Sequence, residues 1–172
     1  MKRTKRVLAG AVALLALAAA TTLAQEAYTS DDEGYVLELP TQTWKAVSRP
    51  DGVHQHTEFI NGDRTEGYLK VRKEVVAPDA KLSDFARNEQ DTKLRFLPGF
   101  VASGKEERFS GRLNGIVVGY EYTSAGKQMA GRTYYLQADN RTVFVLNFTG
   151  LRDKLQRIQS QTDSIARSFR LK

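Results

Sequence analysis

The segment Val143-Phe144-Val145-Leu146-Asn147-Phe148-Thr149 sets Val143 and Val145 on one face of an extended strand and Phe144, Leu146 and Phe148 on the other. Side chains alternate strictly along a strand, so a sheet containing this one must be covered on both sides. Two segments have the helical spacing to do it. Leu151, Leu155, Ile158, Ile165 and Phe169 form one stripe of a helix predicted from about Arg152 to Arg167. Leu82, Phe85, Ala86, Leu94 and Leu97 predict a second helix over 81–97, about four turns long, with Asp79 or Ser83 as its cap.

The remaining strands announce themselves by alternation and by their turns. Tyr35, Leu37 and Leu39 share a face in a strand that Pro40 ends, and a second short strand runs from Trp44 to Val47 before the Arg49-Pro50-Asp51-Gly52 turn. Runs from His54 to Ile60 and from Gly67 to Val76 flank Asn61-Gly62-Asp63, a strong hairpin signal. The second run opposes Tyr68, Lys70, Arg72 and Glu74 to Leu69, Val71, Lys73 and Val75, which predicts a strand near a sheet edge. Four more strands are predicted over 104–112, 115–124, 128–138 and 141–149, as antiparallel neighbours. The expected fold is α+β, a mainly antiparallel sheet flanked by helices on both faces, in one domain over 35–172. Residues 25–34, polar and acidic, read as a flexible lead-in.

The net charge of +6 does not signal nucleic acid. Four of the 26 basic residues, Lys2, Arg3, Lys5 and Arg6, precede the apolar run Val7 to Ala20, and Thr22 and Ala24 occupy the −3 and −1 positions of a cleavage site. This is the pattern of a secretory signal peptide over 1–24, and the run is too short to span a bilayer. Its removal takes four basic residues and none of the 20 acidic ones, leaving +2. No nucleic-acid partner is expected at that charge. The chain has no Cys, hence no site for a lipoprotein anchor, and such a composition suits an oxidising compartment. A periplasmic or secreted location is expected, with no stable membrane insertion after cleavage.

Several phrases carry a resemblance: YVLELP followed by TWK, the strand GYEYT, the arm RTYYL, the strand VFVLNFTG and a terminal helix ending IARSFR. Together they resemble the PsbP-like superfamily of small exported α/β/α sandwich domains, over nearly all of residues 35 to 171. The resemblance implies a domain class in which binding and assembly roles predominate. It brings no catalytic residues with it.

Candidate chemistry is sparse. Gly99 to Glu106 has the glycine and lysine spacing of a phosphate-binding loop, but Glu106 stands where Ser or Thr would hold magnesium and the segment leads into a strand, so it reads as a turn. Ser124-Ala125-Gly126-Lys127 has the serine and lysine spacing of penicillin-recognising enzymes and also reads as a hairpin turn. His54 and His56 share one side of a strand, about 6.6 Å apart along the chain, and could give a metal two ligands, with no third nominated. Tyr120, Tyr122 and Tyr135 are the candidates for a ligand or partner groove, although core packing accounts for most aromatics in a domain this size.

The expected function is therefore that of an exported, non-enzymatic domain, without a cofactor, that binds a protein or cell-envelope partner. A periplasmic binder of small apolar ligands or metal is the alternative, and an uncharacterised hydrolase the more distant one. An apolar pocket with converging tyrosine hydroxyls would favour the binder; a buried acid or a Ser–His pair would favour the hydrolase.

Overall fold

The computed structural model describes residues 26–48 and 56–172. The leader, the Arg49 to Gly52 turn and His54 lie outside the described residues. Ten strands are seen: β1 (Glu26–Ser30), β2 (Tyr35–Leu39), β3 (Trp44–Ser48), β4 (Thr57–Asn61), β5 (Asp63–Val75), β6 (Val101–Phe109), β7 (Gly115–Ser124), β8 (Lys127–Gln137), β9 (Thr142–Leu151) and β10 (Arg170–Leu171). The helices are α1 (Leu82–Glu89), α2 (Arg152–Arg157) and α3 (Gln159–Ser168), with a π-helical turn, Gln90–Leu94, directly after α1.

The main sheet has seven strands in the order β3-β4-β5-β9-β8-β7-β6, and every neighbouring pair is antiparallel. After β5 the chain crosses one face as α1 and the π turn, lays β6 on the far edge, and meanders back through β7 and β8 until β9 closes against β5. The doubly apolar strand β9 thus lies in the middle. Its Phe144, Leu146 and Phe148 enter a core with Tyr35, Leu37, Trp44, Leu155, Ile165 and Phe169, built from α2, α3 and the small sheet β1-β2-β10. Its Val143 and Val145 enter a second core with Ala86, Ile116, Val118 and Tyr135, onto which Leu82 and Phe85 of α1 pack. Both layers required by the sequence are present, and the architecture is an α/β/α sandwich.

Five expectations are corrected. Residues 26–30 are no flexible lead-in: β1 pairs with β2 from Glu26↔Leu39 to Ser30↔Tyr35, and Tyr28 packs edge-on against Phe59 at 4.8 Å. Two of the acidic residues that made the segment look solvated have partners, since Lys172 Nζ donates to Asp31 at 2.5 Å and Thr57 Oγ1 to Glu33 at 3.0 Å. The 81–97 helix is shorter than its apolar spacing suggested; α1 starts after Lys81 without a side-chain cap, so neither Asp79 nor Ser83 caps it, and it loosens into the π turn at Gln90. The terminal helix is two helices, interrupted at Ile158 with φ −99° and ψ 13°.

The fourth correction concerns β5, which is the third strand in, between β4 and β9, and not near an edge. Its charged face is tolerated inside because Arg72 is neutralised from α1 by Glu89 and from its own strand by Glu74. Of the two segments read as turns, one is: Ser124 pairs with Lys127 across a tight hairpin with Ala125 at φ 48° and Gly126 at φ 75°, the left-handed pair a type I′ turn requires. The other is corrected, because Val101 to Glu106 belongs to β6, where Gly104 at φ 84° sits at an irregularity in the register with β7.

Candidate functional site

Cross-strand register sorts the face beneath α1 into rows. Arg72 pairs with Val145 and Val145 with Tyr135; in the next row Lys70 pairs with Asn147 and Asn147 with Thr133; in the next Tyr68 pairs with Thr149, Thr149 with Gly131 and Gly131 with Tyr120. Paired residues in an antiparallel sheet point to the same side. Tyr120, Tyr122 and Tyr135, nominated from sequence, therefore share this face. α1 covers only the part around Val143, Val145 and Tyr135. The rows of Lys70 and Tyr68 run out from under it.

The roof of the transition is the π turn, in which Arg95 N–H bonds the Gln90 carbonyl at 2.9 Å, one residue further back than in an α-helix. Between roof and sheet lies a cavity of about 160 Å³ lined by Lys70, Arg72, Glu89, Lys93, Leu94, Thr133, Tyr135 and Asn147. Glu89 is only 5% exposed. Arg72 Nη2 donates to Glu89 Oε2 at 2.7 Å, and Lys93 donates to Oε1 from one turn later, the favourable i,i+4 order. Burial by itself would raise the Glu89 pKa, but the hydrogen bonds and charges of Arg72 and Lys93 outweigh it and hold the carboxyl below its ordinary range.

Tyr135 behaves oppositely. Its side chain is fully buried, its hydroxyl has no hydrogen-bond partner among the described residues, and burial together with the nearby Glu89 charge pushes its pKa far up. Tyr120, also buried, is pushed up to about 12 by burial, against the hydrogen bond its hydroxyl accepts from Asn147 Nδ2 at 2.9 Å. The same Nδ2 reaches Thr133 Oγ1 at 2.6 Å. Toward the β6 edge the rings of Phe100, Tyr120 and Tyr122 follow one another at 5.9 Å spacings. The loop that supplies Phe100 is pinned to β7 by Thr123 N–H on the Pro98 carbonyl, 2.7 Å. It exposes 76% of Phe96, and Val101 at the start of β6 is 62% exposed.

His56 meets Glu58 at 2.9 Å through Nε2, and Arg64 meets the other Glu58 oxygen at 2.9 Å. Glu58, two residues on in the chain, is thus the partner of His56. No group of three His, Asp or Glu residues fit to hold a metal occurs among the described residues.

Sequence reasoning named the tyrosines but missed Lys70, Arg72, Glu89, Lys93, Thr133 and Asn147. The alternation of β5 already put Lys70 and Arg72 on one side, and Glu89 with Lys93 has helical spacing. What joined the two was invisible, because the crossover between them has no register.

No family model matches this chain, and no curated protein does. Solved structures do. LpqN, involved in cell envelope biogenesis of Mycobacterium tuberculosis, is 16% identical over 85% of this chain and 89% of its own, with a TM-score of 0.60. Cyanobacterial PsbP (CyanoP) from Synechocystis sp. PCC 6803 is 13% identical over 92% and 99%, also at 0.60. PA94, a protein of unknown function from Pseudomonas aeruginosa, is 14% identical over 84% and 94%, at 0.50. The fold is PsbP-like, as the phrases of the sequence implied.

Proposed function

We propose that this PsbP-like chain is an exported, non-enzymatic domain that binds a protein partner in the cell envelope, and that it does so with the aromatic rim of its incompletely covered sheet face. The carrying observation is the run Phe100, Tyr120, Tyr122, with Phe96 exposed in the same loop that supplies Phe100. Partly exposed aromatic rings gathered in one place, with tyrosine hydroxyls among them, have the composition of interface cores. The titratable groups alongside support binding over catalysis. Glu89 is held ionised and Tyr135 protonated, so neither is poised near neutral pH to pass a proton. An envelope role for LpqN agrees with export of this chain, and no helix among the described residues is long and apolar enough to cross a membrane.

The test is a photo-crosslinking residue placed at Phe96 or Tyr122 in living cells, with Gln156 on the opposite layer as control. One discrete protein adduct from the first two positions, absent from the third, is expected. The same adducts from all three, or none from any, would overturn the reading.

A further inference from the structure

At the end of β7 remote from the aromatic rim, the β6–β7 loop and the start of α1 border an open cleft of about 670 Å³, within the usual size of small-molecule sites. Leu82, Leu113 and Ile116 give it an apolar wall, and its charged lining residues are Arg108 and Arg112. The loop is held in place by the end of α3. Arg112 N–H donates to the Arg167 carbonyl at 3.2 Å, Arg167 Nη1 donates to the Ser110 carbonyl at 2.6 Å, and the Arg167 guanidinium lies 5.3 Å from the centre of the Phe109 ring. Within the loop Ser110 Oγ donates to Asn114 Oδ1 at 3.3 Å, so the amide nitrogen of Asn114, also on the lining, is left to donate elsewhere.

No acid offsets the two arginines. Neither has an ion pair among the described residues, and the carboxylates around them are engaged or turned elsewhere. Glu107 pairs with Val117 on the opposite face and lines a cavity against α2, while Glu106 lines a small recess with Arg87. Asp84 of α1 meets Arg87 at 3.5 Å, and Asp163 of α3 meets Arg132 at 3.1 Å. Asp139 is closed on its own turn by the Arg141 N–H at 2.7 Å. Of the opposite charges just before α1, Asp79 and Lys81, neither lines the cleft.

We propose that this cleft binds a small soluble phosphate monoester with an apolar organic group, its phosphate held by Arg108, Arg112 and the Asn114 amide and its organic group lying against Leu82, Leu113 and Ile116. The planar fork of a guanidinium matches phosphate oxygens two at a time, and two guanidiniums balance the nearly two charges that a monoester carries at neutral pH. The apolar wall is what bare phosphate would leave unused. The site does not rest on the partner-binding reading.

Phenyl phosphate is the probe, with inorganic phosphate and benzyl alcohol standing for its two halves. Titration calorimetry and thermal unfolding of the purified chain would be run with each at matched ionic strength. Phenyl phosphate is expected to bind saturably, at least about tenfold more tightly than either half, and to raise the unfolding temperature. Arg108→Gln and Arg112→Gln, both at exposed positions, should unfold as wild type does without ligand and should each weaken phenyl phosphate at least about tenfold. Lys105→Gln, which removes an equal charge from the cavity against α2, should leave binding unchanged. No saturable binding, either half binding as tightly as the whole, undiminished binding to both arginine variants, or an equal loss in Lys105→Gln would each overturn the site. Vesicles containing phosphatidic acid present the same monoester on a membrane, and capture of the protein on them that phenyl phosphate fails to reverse would overturn the soluble ligand. None of these outcomes bears on crosslinking at Phe96 or Tyr122, toward the other end of β7.

Discussion

Glu89 is the residue on which the candidate site turns mechanically, because it carries the ion pair between α1 and Arg72 on β5 and also anchors Lys93 of the π turn. Its folded pKa is depressed below the ordinary 4.5, so its contribution is present above that value and is lost as pH falls through the folded pKa. Glu89→Gln should therefore cost about 1–3 kcal/mol at neutral pH, the usual range for a charged hydrogen bond left half-made. In urea unfolding the gap to wild type should narrow as pH drops from about 7 toward about 3, and a gap independent of pH would contradict the assignment. Gly131 is the second instructive residue. A Cβ there would fall 2.0 Å from Cζ of Tyr120, whose ring lies across the glycine from the neighbouring strand. Gly131→Ala should cost about 1–3 kcal/mol by overpacking, and most of that cost should vanish in a Tyr120→Ala background, a coupling that a double-mutant cycle reads directly.

At the scale of elements, α2 and α3 act as one cover with a break in it. Leu155 of α2 is buried in the core beneath β9, whereas Ile158 sits at the break, half-buried, with its Cδ1 over Gly67. Leu155→Ala should cost roughly 2–5 kcal/mol, Ile158→Ala less than that, and exposed Gln156→Ala below about 0.5 kcal/mol. Equal small losses from all three in urea would mean that the cover is not docked. The apolar stripe was legible in the sequence because its spacing is a property of the helix alone. The break was not, since Ile158 turns out of helical ψ to let α3 meet β2, and Trp44 Nε1 donate to Gln161 Oε1 at 2.9 Å. The π turn was hidden for the same kind of reason: Gln90 to Leu94 has ordinary helix formers, and only the sheet below decides where an extra residue must be accommodated.

For the whole molecule, β2 joins the first described strand to the last, since it pairs with both β1 and β10. Export with cleavage after Ala24 would leave β1 intact, and N-terminal sequencing of the mature protein should start near Gln25. A chain starting at Gln25 should unfold as the longer one does, while one starting at Tyr35 loses β1 and the packing of Tyr28 on Phe59. That loss should be about 2 kcal/mol or more, seen as a fall of several degrees in unfolding temperature. The contrast between what local pattern tells and what it hides runs through the entire fold. By itself the sequence determined the strands, the hairpin turns and the need for two covering layers on β9, because alternation, left-handed turn residues and helical spacing act over a few neighbouring residues. It also brought Tyr120 and Tyr122 to one face by simple parity. Tertiary structure alone decided that Tyr135 joins them, that β5 lies inside the sheet, and that the acidic lead-in is a strand. Each of these depends on pairing between segments far apart in the chain, where a one-residue change of register would turn every side chain to the other face. The same pairing brings Lys70 of β5 and Thr133 of β8 into one row through Asn147, two strands apart, which no local rule could have shown.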